Sequence, residues 1–424
     1  MKQSPRAEKT SLLGKLINVA RYGKREIFAA RSFLRERRLE KPEGPIRVAF
    51  LCDYVPAWNK VKPMYERMLK DSRFSPVLLC VPSDISSDPA ENDIYDYFST
   101  HGYPEAVNTH LPDGNWLDLK TLGLTYIIYL RPYNYELPKP YENFRVAKYC
   151  KVCMVIYGMI MSEELMKSVM DRNFMRYVYC YFAETPQAAR NNRRYGWLLH
   201  GLKLQKSVFL GLPGKEEILA SKAGTTHAWD FTQNEFRAIW TPRWTKDPAL
   251  GGTNFFEYYQ VLPEFAKEHP EMAFLFRPHP MALTHFVQAG DMTVEEAEEF
   301  RRVCREIPNL SLDEEKDYLT TMWQSSVLIT DKSGIMPEYF LMNKPLIFCA
   351  SNLELTMAEH TRKMLEGCYV VYNKEELFSC LLQLQQGNDP MKQRRQELIE
   401  ELFGGIGGAP SEAMMEELVK DCGK

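Results

Sequence analysis

Two apolar segments that each end in a polar loop constrain the fold of this chain most strongly. The first, Met272–Phe276, is followed by Arg277-Pro-His279-Pro, and the second, Val327–Thr330, is followed by Asp331-Lys-Ser-Gly. Short apolar segments of this kind are typical of strands buried in a parallel sheet. The carboxyl ends of such strands lie at one edge of the sheet, where phosphorylated ligands bind. Both loops are therefore candidates for a single ligand site.

Strand-like segments alternate with helical ones along most of the chain. The first group of predicted strands lies at residues 46–52, 77–81, 126–130, 153–156, 177–182 and 208–213, and the second at 238–241, 272–276, 327–330 and 345–348. Alternation of this kind implies doubly wound parallel sheets. We therefore predict an α/β fold of two Rossmann-like domains with an interdomain cleft, which is the glycosyltransferase-B architecture.

The length of 424 residues also favours two domains, because single hydrophobic cores stop growing at about 250–300 residues. A Pro- and Gly-containing break at residues 41–45 ends the first predicted helix. We place a basic amphipathic N-terminal segment at residues 1–45, a first Rossmann-like domain at 46–215, a linker at 216–236, a second Rossmann-like domain at 237–390, and closing helices at 391–424.

The charge of the chain is distributed unevenly. Its net charge of −3 argues against a nucleic-acid partner, but residues 1–45 hold twelve Lys/Arg against five Glu, a net charge of +7. An amphipathic basic helix can lie on an anionic membrane, or it can pack on the body of the domain, and the sequence leaves both alternatives open. The apolar residues that recur there at helical spacing are Leu12, Leu13, Leu16, Ile17 and Ala20.

Two observations bear on the cellular compartment. No apolar run reaches the roughly 18 residues of a membrane span, and no signal peptide is recognisable. The ten cysteines lack framework spacing, and the lone pair Cys150-x-x-Cys153 is weak evidence for zinc or redox chemistry. We expect a cytoplasmic protein with reduced thiols. Any contact with the inner face of the membrane would be peripheral and made by residues 1–40.

The histidine loop carries hydrogen-bond donors suited to an anion. Pro278 and Pro280 fix φ on both sides of His279 and bias Arg277 and His279 toward extended geometry. Donors of this kind suit a diphosphate, because charge-assisted hydrogen bonds contribute about 1.5–3 kcal/mol each. A single histidine between prolines is more often structural. A ligand-binding role for this loop is therefore supported mainly by the presence of the second polar loop.

The second loop lies where a strand turns into a helix. Ser333 is placed to cap that helix, whose free N–H groups would form an anion site. Gly334 allows close approach of a ligand to the backbone, and Pro337 suits the first helical turn. Ordinary helix capping is the alternative for an isolated turn of this type.

Together the two loops resemble the C-terminal signature of the CDP-glycerol glycerophosphotransferases, which polymerise teichoic acids. In that family an Arg-x-His-Pro turn and a Thr-Asp-Tyr-Ser-Ser turn face the donor diphosphate. The continuation Pro337-Glu-Tyr-Phe-x-x-Asn-Lys-Pro-Leu-Ile-Phe348 is similar as well. The resemblance covers residues 205–410 well and residues 46–200 more weakly. It assigns the acceptor to the first Rossmann-like domain and the nucleotide donor to the second.

The resemblance implies roles for the residues of both loops. His279 would be catalytic, and with Ser333 and Gly334 it would hold the donor phosphates. Glu338 would lie near the ribose or support the loop. Lys332 stands where the family has Tyr, and Gly334 where it has a second Ser, so one hydroxyl donor is missing and one cation is gained.

Three further residues complete the substrate-binding set on the donor side. Arg277 and Asp331 belong to the two signature turns. The segment Thr241-Pro-Arg243-Trp resembles the family's Pro-Thr-Trp-Arg strand end, and Arg243 would reach a phosphate. A surface arginine is the alternative for Arg243.

The first domain departs from the family pattern. Family members carry a Trp-His-Gly-Thr segment whose histidine is taken to deprotonate the acceptor hydroxyl, whereas the corresponding strand end here reads Val-Ile-Tyr157-Gly158. Asp53, as the candidate catalytic base, or Tyr157 could assist that hydroxyl. A carboxylate that supports the core is the alternative for Asp53. A base is not obligatory, because phosphoryl transfer relies largely on positioning and charge neutralisation.

The acidic run at residues 313–317 invites comparison with a metal site. Ser311 and Glu314 have the spacing of a capping box, and acidic residues suit the start of a helix. We interpret the run as a helix start and predict neither a metal nor a cofactor.

The resemblance implies an enzyme that transfers a glycerol-phosphate or related polyol-phosphate unit. The donor would be CDP-glycerol or a similar CDP-polyol, the acceptor a hydroxyl of a lipid-linked molecule or glycan, and the leaving group CMP. The process would be teichoic-acid or capsule-type polymer synthesis. Two alternatives are a nucleotide-sugar glycosyltransferase of the same fold and a non-catalytic, nucleotide-binding family member, the latter motivated by the missing histidine.

Overall fold

The computed structural model describes residues 12–39, 43–83, 92–247, 252–279, 282–313, 318–350, 357–404 and 408–423, with side chains of the first helix described from residue 23 onward. Its strands form two separate sheets. They are β1 Ile46–Cys52, β2 Phe74–Cys80, β3 Val107–Asn108, β4 Tyr126–Tyr129, β5 Lys151–Val155, β6 Cys180–Phe182, β7 Lys206–Val208, β8 Phe236–Thr241, β9 Met272–Phe276, β10 Leu310–Leu312, β11 Val327–Thr330, β12 Leu346–Cys349 and β13 Tyr369–Val371.

The two sheets share one topology. The first has the order β3-β2-β1-β4-β5-β6-β7 and the second the order β10-β9-β8-β11-β12-β13, and their ladders are parallel. In each sheet the winding reverses beside the first strand, between β1 and β4 and between β8 and β11. Ligands of open α/β sheets bind outside the carboxyl ends of the strands at such switch points. The predicted fold of two Rossmann-like units is confirmed, whereas the exact domain limits remain a prediction.

Helices connect the strands and cover both faces of each sheet. In chain order they are α1 Leu12–Glu36, α2 Lys62–Met68, α3 Ile94–Thr100, α4 Asn143–Val146, α5 Glu163–Met170, α6 Asn173–Arg176, α7 Pro186–Tyr195, α8 Trp197–Gly201, α9 Lys215–Ala220, α10 Phe255–Tyr258, α11 Val261–Glu268, α12 Ala282–Gln288, α13 Val294–Glu306, α14 Tyr318–Gln324, α15 Met336–Leu341, α16 Glu359–Leu365, α17 Lys374–Gln385, α18 Lys392–Phe403 and α19 Pro410–Cys422. Short 3₁₀ turns, such as Val55–Lys60, lie between them.

The strands are apolar on both faces because both faces are buried. Along β1, Val48 and Phe50 pack into one core, while Ala49 and Leu51 pack into the core on the opposite face. Alternate residues of a strand point to opposite sides, so a strand covered on both sides becomes a continuous apolar run. This is why β1, β9 and β11 lie where the sequence predicts them.

Several predicted elements differ in the structure. The strand predicted at 177–182 is limited to β6, and the helix predicted at 255–267 is two helices. Pro263, in the first turn of α11, has no N–H to donate to the preceding turn. The capping box predicted at Ser311 is wrong, because Ser311 lies in β10 beside β9. Residues 314–317 lie outside the described ranges.

The helix α1 packs on the first domain along its C-terminal half. Ala29 and Phe33 are buried in the core, and the buried Glu26 carboxylate pairs with the Arg176 guanidinium at 2.7 Å. Ile27 and Phe28 on another face are about half exposed. Residues 23–36 of the helix therefore pack on the body of the domain, as one of the two alternatives predicted. Membrane contact remains a prediction. No helix of the described chain has the length and apolar character needed to cross a bilayer.

The C-terminal helix α19 joins the end of the chain to the first domain. Its apolar residues, including Met414 and Leu418, pack into the core beside β1. At its end the Asp421 carboxylate accepts hydrogen bonds from Lys151 Nζ at 2.6 Å, from the Tyr126 hydroxyl at 2.5 Å and from the Tyr179 hydroxyl. Burial alone would raise the pKa of Asp421, but these donors hold it well below its usual value.

We predict that Asp421→Ala destabilises the protein by on the order of 3–5 kcal/mol, because it leaves the buried Lys151 ammonium without its partner. Since the folded pKa of Asp421 is depressed, this stabilisation is present above the unfolded pKa near 3.8 and is lost as the pH falls below it. The measurement is urea unfolding at pH 7. Glu416→Ala on the same helix, which removes the exposed pair with Arg73, is the control and should cost less than about 1 kcal/mol. Equal losses for the two variants would contradict the prediction.

Candidate active site at the interdomain cleft

The switch point of the second sheet is organised by a buried carboxylate. Asp331 follows β11, and its side chain accepts the backbone N–H of Arg243 at 2.9 Å and that of Asn254 at 3.1 Å. Beneath it the hydroxyls of Thr241 and Thr330 join β8 to β11 at 3.0 Å. Burial raises the pKa of Asp331 to about 6, and the two backbone donors oppose that rise. Asp331 thus positions Arg243 and fixes the segment that follows β8.

Two cations lie together beside Asp331. The Arg243 guanidinium donates to the Lys332 carbonyl at 2.5 Å. Among the described residues, neither Arg243 Nε nor Lys332 Nζ has a hydrogen-bond partner, although both atoms are buried. Burial lowers the pKa of both groups, that of Lys332 to about 8, and the charge of Arg243 lowers it further while that of Glu164 opposes it. Buried cations with unfilled donor capacity are suited to an anion.

His279 lies within reach of the charge of Arg243. Its ring is 6.0 Å from the Trp244 ring. The residue is exposed at the surface of the described chain, but desolvation of the ring by its neighbours, followed by the nearby charge of Arg243, lowers the pKa of His279 to about 4. The imidazole is therefore neutral near pH 7. Its neighbour Pro280 lies outside the described ranges.

Arg277 is directed to another partner. Its guanidinium pairs with the buried Asp313 carboxylate at 2.5 Å and lies 5.6 Å from the Tyr318 ring centroid. The acidic residue that opens the run at 313–317 therefore anchors the base of the histidine loop. Whether Arg277 also contacts a substrate stays a prediction.

The turn after β11 differs from the sequence expectation in one respect. Ser333 does not cap α15, because the N-cap is Ile335, which makes no side-chain capping hydrogen bond. Pro337 occupies the first turn of that helix as expected. A β-carbon at Gly334 would meet no atom within 4 Å, so this residue faces open space.

That open space is a cavity between the two domains. Its wall is formed by residues of both domains: Lys60, Gly158 and Glu184 from the first, and Gly334, Pro337 and Glu338 from the second. The Lys60 ammonium and the Glu338 carboxylate form a buried ion pair across it, and the Tyr318 hydroxyl donates to the other oxygen of Glu338 at 2.7 Å. Glu338 therefore links the two domains.

The switch point of the first sheet brings together the predicted acceptor residues. Asp53 after β1 pairs with Arg131 after β4 at 3.2 Å. Burial raises the pKa of Asp53 to about 6, although the charge of Arg131 lowers it. The ring of Tyr157, after β5, lies 6.1 Å from that of Tyr54, and burial raises the pKa of Tyr157. The role of each of these residues stays a prediction.

Sequence reasoning missed three polar residues between the domains: Lys60, Glu184 and His360. The His360 ring bridges Gln187 Oε1 and the Ile160 carbonyl, each at 2.8 Å. Only Glu184 had a local signal, because it closes a predicted strand just as Asp53 and Asp331 do. Lys60 and His360 find their partners far along the chain, and no local pattern marks them.

We predict that Asp331→Ala destabilises the second domain, because two backbone amides lose their acceptor at a cost of about 1–3 kcal/mol each. Urea unfolding gives the total, and hydrogen exchange should accelerate at the amides of Arg243 and Asn254. Asp230→Ala, which removes an exposed pair with His227, is the control. Unchanged exchange at both amides would show that Asp331 does not hold this segment.

Comparison with known proteins agrees with this layout. The model of the family described as CDP-Glycerol:Poly(glycerophosphate) glycerophosphotransferase matches residues 239–418, which include both polar loops. No curated protein matches the chain.

Solved structures share the fold at low sequence identity. UDP-GlcNAc 2-epimerase from Neisseria meningitidis bound to UDP-GlcNAc is 14% identical, with a TM-score of 0.59 over 89% of this chain and 100% of the epimerase. The Methanocaldococcus jannaschii UDP-GlcNAc 2-epimerase in complex with UDP-GlcNAc and UDP is 14% identical, with a TM-score of 0.56 over 88% and 99%. The wall teichoic acid polymerase TagF soaked with CDPG is 13% identical, with a TM-score of 0.52 over 97% and 98%.

These similarities bear on fold and on family separately. The solved structures support two Rossmann-like units in one chain, as the two sheets show directly. The family match covers the second unit with its cation pair and histidine loop. The resemblance predicted from the two loops is confirmed over residues 239–418, which match the model of the glycerophosphotransferase family.

Proposed function

We propose that this protein transfers a glycerol-phosphate or related polyol-phosphate unit from a CDP-activated donor to a hydroxyl of a lipid-linked or glycan acceptor, releasing CMP. The process would be teichoic-acid or capsule-type polymer synthesis. The observation that carries the proposal is the pair of cations, Arg243 and Lys332, at the switch point of the domain that matches the family. Their Nε and Nζ atoms are buried and make no hydrogen bond among the residues that the structure describes. A diphosphate carries negative charge, which the two positive side chains would neutralise.

The donor side would act by stabilising charge. Arg243 and Lys332 would neutralise the diphosphate, and negative charge grows on the bridging oxygen as CMP leaves. His279, neutral near pH 7, would donate an N–H to a phosphate oxygen. The open space beside Gly334 leaves room for a phosphate or the glycerol unit.

The acceptor would enter from the first domain. Asp53 and Tyr157 lie at the carboxyl edge of its sheet, and residues of that sheet edge share the cavity wall with Gly334. A lipid-linked acceptor would be reached at the inner face of the cell membrane. The positive charge of residues 1–40 supports peripheral contact there.

We predict that His279→Ala lowers the rate of CMP release from CDP-glycerol on the order of 10²–10³-fold, the usual loss when one donor to the developing charge is removed. CMP release is followed by chromatography with a synthetic acceptor that carries a terminal glycerol-phosphate hydroxyl on a short alkyl chain. His227→Ala, at an exposed position, serves as the control. CMP release at the wild-type rate would exclude this role for His279.

We predict that Lys332→Met weakens CDP binding about 10–150-fold, because one charge-assisted hydrogen bond of about 1.5–3 kcal/mol is lost. Cytidine, which has no phosphate, should bind the variant and the wild type alike. Since the pKa of Lys332 is about 8, wild-type affinity for CDP should fall as the pH rises through 8, and this decline should be absent from the variant.

Calorimetric titration measures both effects. Lys374→Met on an exposed helix is the matched control, and it should leave CDP binding unchanged. Equal CDP affinity for Lys332→Met and the wild type would contradict the assignment of the anion site. Tighter binding of UDP or GDP than of CDP would favour a nucleotide-sugar glycosyltransferase instead.

A further inference from the structure

Glu184 is a buried carboxylate that forms no ion pair with any residue the structure describes. It follows β6, at the same carboxyl edge of the first sheet as Asp53 and Tyr157, and only 1% of it is exposed. One oxygen accepts a hydrogen bond from the Tyr181 hydroxyl. The other, Oε1, makes no hydrogen bond of normal geometry among the residues that the structure describes. A buried carboxylate oxygen left in this state is costly, and it is most easily explained by a partner that arrives with the substrate.

The position of Glu184 points to that substrate. Glu184 lines the same interdomain cavity as Gly334. The other two charged residues of the cavity wall, Lys60 and Glu338, are paired with each other. Glu184 therefore borders the space between the two domains, and no described cation forms an ion pair with it.

We propose that Glu184 is the general base that takes the proton from the acceptor hydroxyl. This inference rests on the proposed function and supplies the acceptor-side base that the missing family histidine leaves open. The acceptor oxygen would form a bond to the phosphorus that bears the glycerol unit, and the bond from that phosphorus to the bridging oxygen would break. The bridging oxygen leaves as part of CMP, and the hydroxyl proton passes to the carboxylate of Glu184 and then to solvent.

The environment of Glu184 suits this task. Burial raises the pKa of Glu184 to about 7, while the Tyr181 hydroxyl and the nearby amides of Glu184 and Ile160 oppose the rise. A base is most effective when its pKa lies near the working pH. A carboxyl with a pKa near 7 is ionised in part of the molecules at neutral pH and holds a proton more firmly than an ordinary glutamate.

The rival carboxylate, Asp53, is less available. Its side chain is ion-paired with Arg131, which also pairs with Glu136, and the cation holds Asp53 in place. Taking up a proton would weaken that pair. Within the described ranges Glu184 has no such partner, so protonation there disrupts no ion pair seen in the structure.

The test compares Glu184→Gln and Asp53→Asn in the full chain, with CDP-glycerol and the short-chain glycerol-phosphate acceptor as probes. We expect Glu184→Gln to lower kcat on the order of 10²–10⁴-fold, the usual contribution of a general base. It should also abolish the acidic limb of the pH profile of kcat/KM, whose midpoint in the wild type should lie near 7. The dissociation constant for CDP should be unchanged. Asp53→Asn should keep the acidic limb.

Tyr181→Phe provides an independent readout. If Glu184 had only a structural role, this substitution would not move the midpoint of the acidic limb. Loss of the Tyr181 hydroxyl removes a hydrogen bond that lowers the pKa of Glu184, so the acidic limb should shift to higher pH. If Glu184→Gln fails to fold, the test rests on Tyr181→Phe alone. An unchanged midpoint of the acidic limb in Tyr181→Phe then overturns the proposal.

The remaining outcomes separate this inference from the proposed function. If Glu184→Gln keeps both the wild-type rate and the acidic limb of the pH profile, the proposed role of Glu184 is overturned. It is also overturned if the variant loses CDP binding together with its rate, because that result marks a structural residue. If the acidic limb is lost in Asp53→Asn but not in Glu184→Gln, the general base is Asp53. If the unmodified chain binds CDP but releases no CMP with any acceptor, the proposed transfer itself fails.

Discussion

The proposed donor site depends on one interaction: the buried carboxylate of Asp331 accepts hydrogen bonds from two backbone amides. A carboxylate at this depth is stable only when donors satisfy it, and here the donors come from the segment after β8. That segment is thereby held beside the turn after β11, and the Arg243 and Lys332 side chains are brought together. Two cations would otherwise repel each other, so their proximity has to be imposed by the backbone.

The charges of the cleft are arranged with different signs on its two sides. The side of the second domain holds Arg243 and Lys332, whose Nε and Nζ atoms make no hydrogen bond within the described part of the chain. The side of the first domain holds two carboxylates: Asp53 is paired with Arg131, and Glu184 accepts a hydrogen bond from the Tyr181 hydroxyl. An anion is thus favoured on one side and a proton-bearing group on the other. This polarity is what a transfer between a diphosphate and a hydroxyl requires.

The two domains are held together by contacts between residues distant in sequence. Lys60 pairs with Glu338, and the backbone N–H of Ala358 donates to the Met161 carbonyl at 2.9 Å. The ring of His360 is held between Gln187 and Ile160, and burial lowers its pKa to about 4. The C-terminal helix α19 adds a further connection through Asp421. The cleft is therefore bounded by fixed polar contacts as well as by apolar packing.

The sequence by itself determined the strands that are buried on both faces, because β1, β9 and β11 are continuous apolar runs, and it determined which polar loops end them. It did not determine the edge strands β3, β10 and β13, which are two or three residues long, and it misplaced caps at Ser311 and Ser333. Only the tertiary structure decided that Arg277 pairs with Asp313, that Lys332 Nζ has no acceptor among the described residues, and that Glu184 lines the cleft. The reason is physical: burial and the choice of a polar partner depend on residues tens to hundreds of positions away, which no local pattern encodes.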